Sequence, residues 1–245
     1  MVNGIAGTHP PNVGLQLTLN FGAQVVIAGH AISPLTAVIS SPTERYDRVQ
    51  AFGHVDLLNV AFRPAGARPF LHLPLNHLNN GSHDIRDFWP RLSVEALVDL
   101  AGLPPMKRKR GVETLLLAQM KLRFAPSVQV QHAMSLAVEQ AGQITVQQLS
   151  DNVSLSRSQL FRVFKAQVGI SPKTYLRVYR VKHAVNILQQ AGKTRSLTTI
   201  AHEAGYFDQS HLIREFVLST GLAPSQFLQR EKNATFIQYI LEKDK

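Results

Sequence analysis

The stretch QLSDNVSLSRSQLFRVFKAQVGISPKTYL, Gln148 to Leu176, has a partner further along the chain, IAHEAGYFDQSHLIREFVLSTGLAPSQFL, Ile200 to Leu228. Leu149 aligns with Ile200 and Ser150 with Ala201, an offset of 51. Beyond the intervening turn the offset is 52: Leu160 meets Leu212, Arg162 Arg214, Phe164 Phe216, Gly169 Gly221 and Pro172 Pro224. One residue has therefore entered the second turn. Two copies fall short of a solenoid, which needs three or more stacked repeats. They describe one small module used twice.

Each copy reads as helix, short turn, helix. In the first, Thr145 to Val153 form a helix, Ser154 and Leu155 the turn, and Ser156 caps the next helix. In the second, Leu197 to Ala204 form the helix, Gly205 supplies the turn and Asp208 the cap. Ser150 and Ala201 are small enough for the two helices to cross closely. Leu160 and Phe164, like Leu212 and Phe216, are four apart and face a core. The opposite face then carries Arg157, Ser158, Phe161, Arg162 and Lys165 in copy one, and Gln209, Ser210, His211 and Arg214 in copy two. This is the helix-turn-helix plan, in which the second helix enters the DNA major groove. Gln and Arg suit bidentate bonding to adenine and guanine, and Ser or His bonds to bases or phosphates.

Between the copies, Ser171 caps a helix with Pro172 at its first position and a stop at Gly192. Nineteen residues span about 28 Å, close to the roughly 34 Å between successive major grooves on one face of B-DNA. Lys173, Arg177, Arg180 and Lys182 lie along it; Lys173, Arg177 and Arg180 are candidate phosphate contacts, the alternative for each being a solvated side chain.

Charge agrees with this. The net charge is +10, and from Asn152 to His202 there are nine basic residues and no acidic one. A surface that is merely solvated interleaves both signs, so the run points to a polyanion, nucleic acid before membrane. There is no cysteine among the 245 residues, which excludes disulfides, thiolate metal sites and cysteine nucleophiles. The opening MVNGIAGTHPPNVG lacks a basic region and a long apolar core, so no signal peptide is expected. No stretch approaches the roughly 20 apolar residues of a membrane helix. A cytoplasmic protein is expected.

The first 126 residues are different in texture. LQLTLNFG, AQVVIAG, TAVISSP and HVDLLNVAF are short apolar or alternating runs bounded by Gly, Pro and Asn, and read as strands. LPLNHLNN and DIRDFWPRLSVEALVDLAG read as short helices, with Ser93 a cap and Gly102 a stop. LPPMKRKRG, 103–111, reads as a basic, proline-rich joint: its Lys107–Arg110 run either binds nucleic acid or, as preferred here, is a solvated linker near it. VETLLLAQMKLRF follows as a helix ending at Ala125 and Pro126. The expected division is 1–126, 127–233 and a tail helix over 234–245, whose stripe Phe236, Ile237, Ile240 and Leu241 would pack within the chain or on a second protomer.

Residues from about 130 to 230 resemble the DNA-binding domain of AraC-type (AraC/XylS) transcriptional regulators. The resemblance rests on LSRSQLFRVFKAQVGISPKTYLRVYRVKHAVNIL and IAHEAGYFDQSHLIREFVLSTGLAPSQFL and covers some two fifths of the chain. It implies two helix-turn-helix units on one bridging helix, contacting successive major grooves of promoter or operator DNA. By motif position, Ser158, Phe161 and Arg162 contact DNA from the first recognition helix, and Gln209, Ser210, His211 and Arg214 from the second. Three positions depart from the pattern. Phe161 and Ile213 stand where polar residues are frequent; Phe161 either meets a thymine methyl or, as preferred, packs on the first helix. Ser154 stands where glycine is frequent, implying a slightly different turn. Some relatives carry an alkyl-transferring module that needs cysteine, which this chain lacks.

The N-terminal stretch VDLLNVAFRPAGARPFLHLPLNHLNNGSHDIRDFW resembles family members with a small β-rich, cupin-like sensor domain. In that group further strands precede the equivalent of Pro10, which implies an incomplete barrel here. The expected class is thus α+β, a β-rich cupin-like domain followed by an all-α domain. Expected partners are double-stranded DNA and RNA polymerase, with a small-molecule effector of unspecified identity and a monomeric or homodimeric state. The resemblance leans toward activation. No catalytic residue, cofactor or metal is expected. The rival reading is a cupin-like ligand-binding protein or metal-dependent enzyme with an appended helical domain. Its candidate ligands would be His54, His72, His77 and His83, but His72 and His77 are five apart and miss a common helix face. A third reading is a DNA binder without sensing. Asp84, Arg86, Asp87 and Trp89 form a polar cluster better read as the start of a helix than as a catalytic site.

Overall fold

The structure is a computed structural model and describes residues 4–9, 13–42, 47–78, 81–89, 92–191 and 195–233. The chain is α+β, strands first and helices after. Eight strands lie among these residues: β1 Gly4–His9, β2 Gln16–Asn20, β3 Val25–Ile27, β4 His30–Ile32, β5 Thr36–Ser40, β6 Asp47–Phe52, β7 Leu57–Ala61 and β8 Ser82–Asp84. They form two antiparallel sheets, ordered β1-β6-β3-β4 and β7-β2-β5-β8. β1 stands ahead of Pro10 and pairs along its whole length with β6, so a strand does precede that point.

The LQLTLN alternation explains how the second sheet is held. Leu15, Leu17 and Leu19 are buried against the following helices with Ala37, Ile39, Leu75, Ile85 and Trp89. Thr18 and Asn20, on the opposite face, are buried too, and both are satisfied. Thr18 donates to Asn59, and the Asn20 amide donates to the carbonyls of Ala23, Ile32 and Ser33, which ties β2 to the turn before β3 and to the end of β4. Burying a polar side chain costs little when its hydrogen bonds are met. Strands β1, β4, β6 and β8 lie outside the runs expected from sequence: their segments, such as DRVQAF and SHD, lack a two-residue apolar period.

Helices α1 (Arg68–Leu71), α2 (Val94–Ala101) and α3 (Pro105–Gln119) cover the second sheet, with 3-10 turns at Leu75–His77, Ile85–Asp87 and Leu122–Phe124. Ser93 caps α2, and Asp84 caps the turn at Ile85 by accepting from the Arg86 amide. The basic joint expected over 103–111 is corrected: it is the first half of α3. Proline at the first helical position removes an N–H that has no partner there anyway, so Pro104-Pro105 starts this helix instead of breaking the chain. Arg108, expected in a solvated linker, is 8% exposed. Its guanidinium donates to both Asp56 oxygens at 2.7 and 2.8 Å and to the carbonyls of Leu100, Ala101 and Leu103, with its charge 4.4 Å from the Phe21 ring centre.

The remaining helices are α4 (Val128–Glu139), α5 (Val146–Asn152), α6 (Arg157–Val168), α7 (Pro172–Ala191), α8 (Leu197–Glu203), α9 (Gln209–Thr220) and α10 (Pro224–Asn233). They enclose two cores. One joins α4, α5 and α6 to Tyr175, Leu176 and Val178 of α7, and takes in Val13 and Ala65 from the strand-rich part. The other joins α8, α9 and α10 to Val181, Ala184, Ile187, Leu188 and Ala191 of the same helix. The expected stop at Gly192 and the stripe Phe236, Ile237, Ile240 and Leu241 fall outside the described residues.

Candidate nucleic-acid interface

The repeat persists in the helix bounds. α5 and α8 stand 51 residues apart; α6 and α9 stand 52 apart, as do the starts of α7 and α10. Thr145 and Ser196 cap the first helices through their hydroxyls, and Ser156 and Asp208 cap the second. Thr145 with Gln148 and Ser156 with Gln159 complete reciprocal capping boxes. Gly169 and Gly221 end α6 and α9 in the left-handed conformation.

The two turns share one geometry. Ser154 has φ 54° and Gly205 φ 75°. The next amides, of Leu155 and Tyr206, bond back to the carbonyls of Ser150 and Ala201 at 3.0 and 2.9 Å. The different turn expected at Ser154 is therefore corrected: serine adopts the same left-handed state, at the steric cost a Cβ imposes there. The added residue of copy two comes after this shared turn. It is Phe207, 84% exposed, immediately ahead of the Asp208 cap.

α6 buries Leu160, Phe164 and Val168, and α9 buries Leu212 and Phe216. Their outer faces are thereby fixed. Arg157, Ser158, Arg162 and Lys165 are exposed on α6, and Gln209, Ser210 and Arg214 on α9. Phe161 is 49% exposed, with the Lys165 ammonium 5.8 Å from its ring centre. It stands on the outer face, contrary to the preferred packing reading. His211 is half-buried: its ring meets Tyr206 edge to face at 5.2 Å, and Nε2 lies 3.7 Å from Glu215 Oε1. Gln209 accepts a hydrogen bond from Thr198 of α8. Burial, reinforced by Glu215, pushes the Tyr206 hydroxyl well above the ordinary tyrosine range, against the opposing pull of Arg180 and Arg177.

α7 bridges the units with 20 residues, about 30 Å of rod. Its start is capped by Ser171, whose hydroxyl accepts from the Thr174 amide. Lys173 is exposed; Arg177 and Arg180 are half-buried. Arg180 is already engaged, donating to the Gly142 carbonyl through Nη2 at 2.8 Å and Nε at 3.3 Å.

A family model described as "Helix-turn-helix domain" matches residues 149–230, and a curated relative that is 37% identical over 83 residues, covering 34% of this chain and 27% of that one, is the "Putative AraC-like transcription regulator" of Streptomyces lividans. Residues 149–230 form an AraC-type helix-turn-helix domain. The chain is 37% identical over 76 residues to the "HTH-type transcriptional activator RhaS" of Pectobacterium carotovorum, covering 31% of this chain and 26% of that one. It is 30% identical over 112 residues to the "Bifunctional transcriptional activator/DNA repair enzyme Ada" of Escherichia coli, covering 46% of this chain and 30% of that one. The chain thus spans about a third or less of the length of the curated relatives it matches first. A solved AraC-type transcriptional regulator from Chromobacterium violaceum superposes with a TM-score of 0.38 at 24% identity, over 44% of this chain and 93% of that one.

Within the AraC-type domain, the residues expected on the two recognition helices come together as two exposed faces, His211 excepted. Sequence reasoning missed Phe207, although the change of offset from 51 to 52 locates an insertion in that turn, and it missed Thr198, whose hydroxyl steadies Gln209. Outside the domain, the rival metal reading finds little to build on. His72 is bonded to the Gln119 carbonyl at 2.7 Å, and no three His, Asp or Glu side chains converge among the described residues. Nor is any described helix long and apolar enough to cross a membrane.

Proposed function

We propose that the chain is a sequence-specific, cytoplasmic, non-enzymatic transcriptional regulator that places α6 and α9 in successive major grooves of promoter or operator DNA. The observation that carries this reading is the doubled unit itself: two recognition helices of matched geometry, each with a polar or basic outer face, held on one helix about 30 Å long. Arg162 and Arg214, at equivalent places, are the leading base or phosphate contacts, followed by Gln209 and Ser210. Arg157, Ser158, Phe161, Lys165 and His211 complete the proposed faces, and Lys173 and Arg177 are the α7 side chains proposed to meet phosphates. The name of RhaS, a transcriptional activator, favours activation; RNA polymerase is the partner proposed for it.

The division 1–126 and 127–233 belongs to the same proposal, with the first part controlling the second through an effector or through dimerisation. It is supported by what the strand-rich part touches. Val13 and Ala65 enter the core of the first unit. A Cβ built on Gly169, the cap of α6, would lie 3.4 Å from Pro42 and 3.5 Å from Leu75. A change in the strand-rich part is thereby felt first at α6. The test is selection from a random double-stranded DNA pool at about physiological salt, since affinities without a stated salt mean little. Two half-elements about one helical turn apart are expected. Binding without sequence preference would reduce the basic stretch to an electrostatic footprint and refute the proposal.

A further inference from the structure

The two cores of the helical part use different halves of α7: one takes Tyr175, Leu176 and Val178, the other starts at Val181. A shared rod alone fixes how far apart the units sit. Their rotation about it rests on how each core seats on the helix, and a second attachment that stiffens it exists at the junction of the halves. After α4 the chain turns through Ala141 and Gly142, at φ 50° and 73°. Gly142 lies so close to α7 that a Cβ would be 2.2 Å from the Leu176 oxygen and 2.7 Å from the Arg180 nitrogen. Only glycine fits both the backbone angle and the gap. The Gly142 carbonyl is then gripped by two guanidinium nitrogens of Arg180. The same guanidinium lies 5.8 Å from the ring centre of Tyr206, which is 3% exposed in the second core. Next to it, the Gln143 side chain donates to the Glu203 carbonyl at the end of α8, 60 residues away, and fills the space where Gly205 would carry a Cβ. The loop that leads into the first unit is thus bonded to α7 and to the turn that leads into the second recognition helix.

We infer that Arg180, with Gln143, is a positioning clamp that sets the angle between α6 and α9 and so dictates the spacing of the two DNA half-elements. This rests on the proposed DNA-binding function. It assigns Arg180 a duty other than phosphate contact. A one-base-pair change in spacing turns the second element by about 34–36° and moves it about 3.4 Å. A clamped pair of helices cannot follow that change, and an unclamped pair follows it in part.

The experiment measures binding of the full chain to its selected site and to variants with one base pair added or removed between the half-elements. The chains compared are wild type, Gln143→Ala, Arg180→Ala and Arg180→Lys. Wild type should lose roughly tenfold or more in affinity on either spacing change, as for a mismatched base pair. In Gln143→Ala, whose side chain is exposed, affinity for the isolated half-element read by α6 should stay within about twofold while the spacing penalty shrinks severalfold. Arg180→Ala should shrink it further, and Arg180→Lys, which keeps one donor, should fall between. Variants with the wild-type spacing profile would overturn the clamp, as would a uniform loss at every spacing, the mark of a phosphate contact. If wild type binds no specific site, the functional proposal fails and takes the clamp with it. If wild type binds but tolerates all spacings, only the clamp fails.

Discussion

Arg108 offers the sharpest test of how the basic run at 107–110 is used. Replacement by alanine removes a side chain that donates to both oxygens of Asp56 and to the carbonyls of Leu100, Ala101 and Leu103. Two of those carbonyls end α2, where the ordinary helical ladder runs out; that of Leu100 also accepts from the Leu103 amide. Breaking a buried ion pair by deleting one partner costs about 3–5 kcal/mol. Asp56 retains 32% side-chain exposure and can be rehydrated, so the lower end applies, about 3 kcal/mol. The chain has a single tryptophan, Trp89, 2% exposed in the core beneath the second sheet, with its indole N–H on the Phe70 carbonyl. Its fluorescence in a urea titration therefore reports on this part of the molecule alone. Arg108→Ala should lower the midpoint with little change in slope. Lys107→Ala and Arg110→Ala, both exposed, should stay within about 0.5 kcal/mol of wild type. A cycle with Asp56→Ala should show coupling well above the ~1 kcal/mol of a surface pair. An Arg108→Ala chain as stable as the Lys107 variant, with a weakened salt dependence of DNA binding, would refute the structural assignment and restore the linker reading.

Four further outcomes are expected. Gly205→Ala should destabilise the second unit by about 2 kcal/mol, through a left-handed backbone and a clash with Gln143, and Gln143→Ala should restore part of that loss in thermal denaturation; equal loss in both backgrounds would count against the contact. Phe161→Ala should leave stability nearly unchanged but weaken specific binding roughly fourfold, about the 0.8 kcal/mol of one buried methylene-sized group, and the effect should vanish on DNA in which deoxyuridine replaces thymidine. Arg214→Ala should cost about 1–3 kcal/mol and relax preference at one base if it reads a base, or weaken all sequences evenly and lower the salt slope by about one if it holds phosphate; no change in either removes it from the interface. Tyr175 and Tyr206 keep their protons in the fold above the pH at which unfolded tyrosine ionises, near 10. Their contribution is therefore complete below about pH 10 and is lost as pH rises beyond it, which alkaline denaturation of Tyr206→Phe against wild type will measure.

The helical part was legible because its signals are local and repeated. Caps at Ser156 and Asp208, the turn glycine Gly205, and apolar pairs four apart each carry a mechanism within one turn of helix, and a second copy, in register through Gly169 and Gly221, removes accidental matches. What escaped needed partners distant in sequence. Arg108 reads as one of four adjacent basic residues until Asp56, 52 positions earlier, is placed beside it. Arg180 reads as one more cation on a basic helix until Gly142 is seen beneath it. Strands β1, β4, β6 and β8 escaped because none carries the sustained apolar run by which β2, β5 and β7 are read. Phe161 was assigned to the interior from its apolarity, yet Leu160 and Phe164 already fill that face of the helix and turn it outward.

Among the described residues, the strand-rich part donates Val13 and Ala65 to one core of the helical pair and nothing to the other, and its Pro42 and Leu75 abut the cap of α6, whereas a Cβ on the equivalent cap of α9 would meet none of them within 4 Å. The twins are therefore unequal under truncation. A fragment beginning near Ser127 would leave α8, α9 and α10 with every buried side chain in place, while the hollow under α4 and α6 would open by two residues. Amide exchange in such a fragment should quicken first in α6, while α9, the helix preceded by Phe207, should keep its protection.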